Sequence, residues 1–187
     1  MNVELLDITP NALEKIGQYA GICYNSSMDS TSCVRRAISC KDKGHLATLR
    51  FASAVFHVSG ISRVCSHQFV RSKHLDFLQR SQRYCNESST EFVVPPSANP
   101  DIVRAAYQAA MDTYNELLKQ GVKKEDARFV LPNGGSTELI VTGNFQAWLD
   151  FISLRADTHA QWEIREVAKT INNILSGHAP GLFNWMP

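Results

Sequence analysis

Ile102, Val103, Ala106, Tyr107, Ala110, Tyr114, Leu117 and Leu118 recur three and four residues apart. That spacing predicts one long amphipathic helix over residues 101–120. Its limits are set on both sides. VVPPSANP (93–100) carries three prolines, which deny helix and central strand alike. Gly121 is well placed to stop the helix.

Elsewhere the pattern changes type repeatedly. Residues 11–24 read as a helix with Leu13, Ile16, Tyr19 and Ala20 on one face, and a short helix is expected near 31–40. ATLRFASAVFHVS (47–59) is β-branched and aromatic, which predicts a strand ended by Gly60. Ile61, Val64, Cys65, Phe69 and Val70 predict a helix over 61–73, and a short helix is expected at 123–128. LPNGG breaks the chain, with Gly134-Gly135 as a turn before a strand at 136–143. Asn144 is a candidate cap for a helix over 145–154, with Phe145, Trp148, Leu149 and Ile152 inward. Thr158 with Gln161 reads as a capping box opening a last helix, which runs to about Leu175 and ends at Gly177. Strands and helices without regular βαβ alternation give an α+β class. The 187 residues suit a single domain, 1–187.

Composition excludes several roles. A net charge of +1 offers no basic surplus for a nucleic-acid polymer. No run approaches the eighteen or so apolar residues of a membrane span, and MNVELLDITPNALEK is not a secretory signal. Five cysteines form no C-x-x-C pair, so a disulfide framework or a metal site is not expected. Reduced thiols and a cytoplasmic location follow, and Cys85 reads as an inert thiol.

Against that neutral background, QFVRSKHLDFLQRSQRYCN (68–86) packs Arg71, Lys73, Arg80 and Arg83 among Gln68, Ser72, His74, Ser81, Gln82 and Tyr84. Such a set of forked and point-charge donors suits a phosphate or nucleotide. There is no G-x-G-x-x-G, no P-loop, no G-x-S-x-G and no metal-type His/Cys spacing. Two further places carry arginines: Arg128 in ARFVLP, and LRADTHAQWEIRE (154–166). By spacing alone, Arg155, Arg165, Glu163 and Glu166 are ordinary solvated pairs around a helix start. Set against this, Arg155 just before a helix N-terminus could meet an anion and a planar ligand edge.

These three places resemble the flavin-dependent thymidylate synthases, the ThyX family. Its signature is Arg-His-Arg, seven residues, then Ser, usually followed by Gln-Arg-Tyr. Arg71-Ser72-Lys73, seven residues, then Ser81-Gln82-Arg83-Tyr84 has that spacing. Gly44-His45 with SRVCSHQFVR, ARFVLP and LRADTHAQWEIRE extend the similarity over roughly residues 15–175. The resemblance implies a ThyX-like mixed sheet flanked by helices, and a homotetramer with active sites shared between subunits. It implies methylation of uracil C5 in dUMP, with methylenetetrahydrofolate as carbon donor and FAD and NADPH as reductant, so that the partners are a pyrimidine nucleotide monophosphate and a folate. Residues carried over to the nucleotide are Gln68, Gln79, Arg80, Ser81, Arg83, Arg128 and Arg155, with Arg155 and Ser81 at the reacting centre. Arg71, Ser72, Lys73, Asn144, Asp150 and His159 are carried over to the flavin.

The chain departs from the family on the flavin side. The signature His and second Arg are Ser72 and Lys73; the Glu-His pair after Gly-His falls on Arg50-Phe51. The usual Asn-Glu before the signature Ser reads Leu78-Gln79-Arg80, and a flavin-contacting Asn is Asp150. Two other readings therefore stand beside the first. One is an altered-chemistry homologue: a UMP C5 methylase, or a flavin-independent pyrimidine-nucleotide hydroxymethylase. The other is a non-catalytic nucleotide-binding paralogue. The C-terminal Phe183 and Trp185 are expected to be docked, from their apolar character.

Overall fold

The structure, a computed structural model, describes residues 1–185. Its four strands form one open sheet in the order β1 (Asn2–Ile8), β2 (Ser53–Ser62), β4 (Ser136–Asn144), β3 (Leu75–Gln79). The α+β class holds, but every pairing is antiparallel, so the sheet is not the mixed one expected.

Both edge strands are absent from the sequence-based reading, for identifiable reasons. In β1 the apolar alternation is broken where the register shifts between Leu5 and Asp7. In β3 the inward face carries just two apolar residues, Leu75 and Phe77, and Leu78 on the other face is 76% exposed. The expected strand over 47–59 is displaced. Residues Leu46–Phe51 form a 3₁₀ segment, and β2 begins at Ser53. Gly60 does not end that strand. It sits inside it at φ 66°, where the register shifts between Ser59 and Ile61, and glycine meets that left-handed backbone without strain.

One sheet face carries the core. Phe56, Val58, Leu139 and Val141 pack with residues of α6 (Phe145–Arg155) and α7 (Trp162–His178), Trp148, Ile152, Ile164, Val167 and Ile171 among them. Trp148 meets Phe56 edge-on with ring centroids 5.0 Å apart, and its indole N–H donates to the Ala54 carbonyl at 3.2 Å. Each such fully buried large side chain contributes roughly 1.5–3 kcal/mol. Phe183 docks against Phe145 at 5.1 Å and Trp185 packs on the same core, as expected for the C-terminal segment.

The helices confirm some signals and correct others. Asn144 does cap α6, its side chain accepting from Ala147 N–H at 2.9 Å. The start of α7 is not the Thr158 capping box. Gln161 itself is the cap, accepting from Glu163 and Ile164 N–H, and the helix runs past Gly177 to His178. The expected helix at 61–73 is α3, Arg63–Phe69, capped by Ser62. The helices α1 (Ala12–Ile22) and α2 (Ser30–Asp42) form a tight hairpin: a Cβ on Gly17 would fall 1.9 Å from the Cys33 carbonyl oxygen. The long helix α4 (Pro100–Lys119) is present, but its predicted apolar face is only partly covered. Met111 and Tyr114 are buried in a small cluster with Ala127 of α5 (Lys124–Ala127), while Ile102 is 70% exposed.

Candidate active site

The basic segment 68–86 is divided by β3. Arg71-Ser72-Lys73 lies in the turn between α3 and β3, and Ser81–Arg83 in the turn after it. Five strand residues separate the two ends by about 17 Å. They are therefore two sites on one chain.

At the Ser81 end four arginines gather. Arg83 pairs with Glu125 of α5 at 2.6 Å and lies over the Tyr84 ring at 5.3 Å. The Arg128 Nε–H donates to the Glu125 carbonyl at 3.0 Å, which places Arg128 beside Arg83. Arg80 reaches the buried Glu87 at 3.3 Å and Glu138 at 3.6 Å, and Glu138 also meets His57 at 3.0 Å. Desolvation opposes the charge on Arg80, but Glu87, with Cys85 and Glu138 behind it, outweighs it and holds the guanidinium above its ordinary pKa. Arg80, carried over to the nucleotide by the resemblance, is paired here with two carboxylates. Gln79 is likewise turned inward, donating to the Ser66 and Thr137 hydroxyls at 2.9 and 3.3 Å.

Arg63, which the sequence reading passed over, belongs to this end. It donates to the Arg80 carbonyl at 3.0 Å, and its Nε is buried without a partner. Burial pulls its guanidinium below the ordinary value, Arg128 and Arg80 add to that, and Glu87 acts against it. The signal that could have found it is its place five residues before Gln68 in SRVCSHQFVR, the stretch that resembles the family.

At the other end, Arg71 and Lys73 are exposed, and among the described residues neither has a carboxylate within ion-pair distance. The Ser72 hydroxyl is buried without a partner. His74, at φ 64°, turns the chain into β3 and lines a small cavity of about 150 Å³ with Arg50, Asn144, Gln146, Ala147 and Asp150. Two of the flavin-side residues, Asn144 and Asp150, thus meet in one cavity beside the signature turn. His159 does not join them. It follows the C-terminal end of α6, which is about 16 Å long and starts beside Asn144, and it pairs with Asp157 at 2.7 Å. Phe51, at the family's His position, is 63% exposed and packs edge-on against Tyr19.

Arg155 is the last residue of α6, not the lead-in to α7. It donates to the Gln68 carbonyl at 3.2 Å, and its Nε is buried and unpartnered. Gln68 and Arg155 are thereby brought together at the C-terminal end of α3, and among the described residues no hydrogen bond links Arg155 to Ser81. Beside them, burial and then Glu163 push the Cys65 thiol far above its ordinary pKa, so it is an inert core group. Glu163 is not a solvated ion-pair partner: it is 2% exposed and bonded to Ser62. Arg165 donates to the Thr158 carbonyl at 2.8 Å, and Glu166 makes a surface pair with Lys169.

Among the described residues no group of three His, Cys, Asp or Glu side chains could hold a metal, and no helix is long and apolar enough to cross a membrane. Residues 4–181 match the family model described as thymidylate synthase complementing protein. A flavin-dependent thymidylate synthase of Geobacter sulfurreducens is 36% identical over 201 residues, covering 98% of this chain and 85% of that protein. Enzymes of the same name from Mycobacterium avium and Mycobacterium tuberculosis are each 38% identical over 162 residues, covering 76% of this chain. The match spans 65% of the length of each mycobacterial protein. An arginine cluster and a separate cationic turn at the two ends of one strand are thus embedded in a sequence that matches over nearly its whole length, and the chain belongs to the thymidylate synthase complementing protein family.

Proposed function

We propose that this protein is a flavin-dependent thymidylate synthase, methylating C5 of dUMP with methylenetetrahydrofolate as carbon donor and FAD and NADPH as reductant. The observation that carries the reading is the family match over residues 4–181, together with the gathering of Arg83, Arg128 and Arg63 beside Ser81. Neither the altered-chemistry reading nor the non-catalytic one has comparable support, since the relatives named above all carry the one activity.

The division of labour follows from the two ends. At the Ser81 end, Arg83 and Arg128 receive the nucleotide phosphate, with Glu125 as the exchangeable carboxylate that covers Arg83 beforehand. The Ser81 hydroxyl, which already accepts from the Arg83 N–H at 3.2 Å, keeps its own proton to donate. Arg155 is held by one N–H to the Gln68 carbonyl, leaving the rest of its fork to polarise the pyrimidine ring.

The residues of the other end fit a phosphate-bearing cofactor. Arg71 and Lys73 are uncompensated cations, the Ser72 hydroxyl lacks a partner, and Asn144 retains its amide donors after capping α6. The cavity of about 150 Å³ holds only an edge of such a molecule, so the remainder lies along the exposed turn. The chemistry that a flavin held there would supply is hydride transfer, completing the methyl group. With about 17 Å of strand between the ends, a reaction centre in which the Ser81 end of one copy faces the Arg71 end of another would bring both ends together without spanning the strand. That arrangement is compatible with the homotetramer of shared sites that the resemblance implies.

The test is the absorbance spectrum of the purified protein during FAD titration, followed by bleaching with NADPH and assay of dTMP from dUMP. A yellow protein that bleaches and forms dTMP is expected. Failure to bind FAD at any concentration removes the reading.

A further inference from the structure

We propose that Glu87 is a positioning residue of the phosphate end, an internal anion that keeps the arginine cluster assembled before nucleotide arrives. The inference rests on the nucleotide reading above and adds a residue that the family signature does not contain.

The side chain of Glu87 has no solvent exposure. A buried carboxylate is tolerable only if it is paired and hydrogen-bonded, and Glu87 is both. One oxygen takes the Arg80 Nε–H at 3.3 Å, and the other takes the Thr90 hydroxyl. Its main chain is fixed as well: the Glu87 N–H donates to the buried Tyr114 hydroxyl of α4 at 3.3 Å. Glu87 therefore cannot swing out to meet solvent or be displaced by a ligand. Glu125 and Glu138, which pair with Arg83 and Arg80, have side chains 33% and 45% exposed and are free to move aside.

What Glu87 holds is Arg80, and through it Arg63. The Arg80 carbonyl takes a guanidinium N–H of Arg63 at 3.0 Å, and Arg63 lies close enough to Glu87, Arg128 and Arg80 to feel all three charges. Without an anion among them, Arg63, Arg80 and Arg128 repel one another and spread. With Glu87 in place they stay gathered and still carry surplus positive charge, which a phosphate beside Ser81 completes. The cluster is preorganised, so binding does not have to assemble it.

The sign of one measurement separates this role from plain electrostatics. Removing a negative charge from beside an anion site tightens anion binding by Coulomb's law; removing a positioning residue weakens it. The full-length protein, wild type and Glu87→Gln, is titrated calorimetrically with dUMP and with deoxyuridine. Glu87→Gln is expected to weaken dUMP about tenfold, the loss of one charge-assisted contact. Deoxyuridine is expected to bind as before, and KM for dUMP to rise with kcat within about twofold. Equal or tighter dUMP binding in Glu87→Gln overturns the inference. A wild-type protein that binds no dUMP overturns the nucleotide reading instead. Should Glu87→Gln not fold, Arg80→Lys removes the Nε–H that Glu87 holds and leaves the carboxylate; the same phosphate-specific loss supports the inference, and unchanged dUMP affinity overturns it.

Discussion

Glu163 accepts two hydrogen bonds from Ser62, from its N–H at 2.7 Å and from its hydroxyl at 2.5 Å. Ser62 is the cap of α3, its oxygen accepting from Cys65 N–H at 3.1 Å, and Glu163 lies in the first turn of α7. The pair ties the start of the helix carrying Gln68 to the helix that follows Arg155. Glu163→Ala leaves two buried donors unsatisfied and is expected to cost about 3 kcal/mol. For a chain of this size that is a fall of roughly 6–12 °C in Tm. Thermal denaturation checks it; a change below about 2 °C would mean the bonds are replaced by water.

Asp29 caps α2 with a pH signature. Its carboxyl accepts from the Ser27 hydroxyl at 2.6 Å and from the Ser32 N–H at 2.9 Å. Those bonds, the Ser27 hydroxyl first, hold its pKa well below the ordinary carboxylate range. A depressed carboxyl contributes stability that is complete above the unfolded value of about 3.9 and is lost as pH falls through the folded one. The Tm difference between wild type and Asp29→Asn should therefore be constant from neutral pH to about 5 and shrink in stronger acid. A difference that grows in acid would contradict the assignment.

Arg155→Ala should abolish turnover or nucleotide binding. The residue spends one N–H on the Gln68 carbonyl and keeps a buried, unpartnered Nε, so its orientation is fixed while its fork is not used up. Arg155→Lys keeps the charge and loses the fork, and an intermediate loss is expected. Steady-state assay of both variants decides the matter, and near-normal activity in Arg155→Ala would show that the residue matching is wrong.

How much of this was legible in the sequence depends on where each signal comes from. The cap at Asn144, the turn at Gly134-Gly135 and the docked Phe183 follow from local chemistry, and they stand. The edge strands β1 and β3 do not announce themselves, because the register shift between Leu5 and Asp7 breaks the alternation of β1, and β3 is only five residues long with an apolar residue, Leu78, on its exposed face. The face of α4 misleads for a tertiary reason: Ile102 continues the period, but nothing in the fold lies over it. Arg63 and Glu87 gain their meaning only when α3, β3 and the 85–91 loop converge, which no spacing along the chain encodes. Arg80 is the converse case. It read as a ligand group because it sits in a basic run, and the fold sets two carboxylates against it.

The turn at Arg71-Ser72-Lys73 carries the remaining question, because the family's forked second Arg and its His are absent there. Lys73 is a point charge that meets one phosphate oxygen at a time, whereas a guanidinium meets two. Ser72 places a short hydroxyl, buried and unpartnered, where an imidazole would reach further. If this turn holds the flavin, Ser72→His with Lys73→Arg should tighten FAD about tenfold, the gain from one added bidentate contact. Flavin fluorescence quenching on titration measures it without turnover. Lys73 is exposed on the turn, but the Ser72 hydroxyl is buried, so the melting curve of the unliganded double variant is the folding control. Unchanged or weaker FAD binding would mean that Arg50, His74 and Asp150 have rebuilt the pocket around the shorter side chains, and that the flavin is held from the cavity and not from the turn.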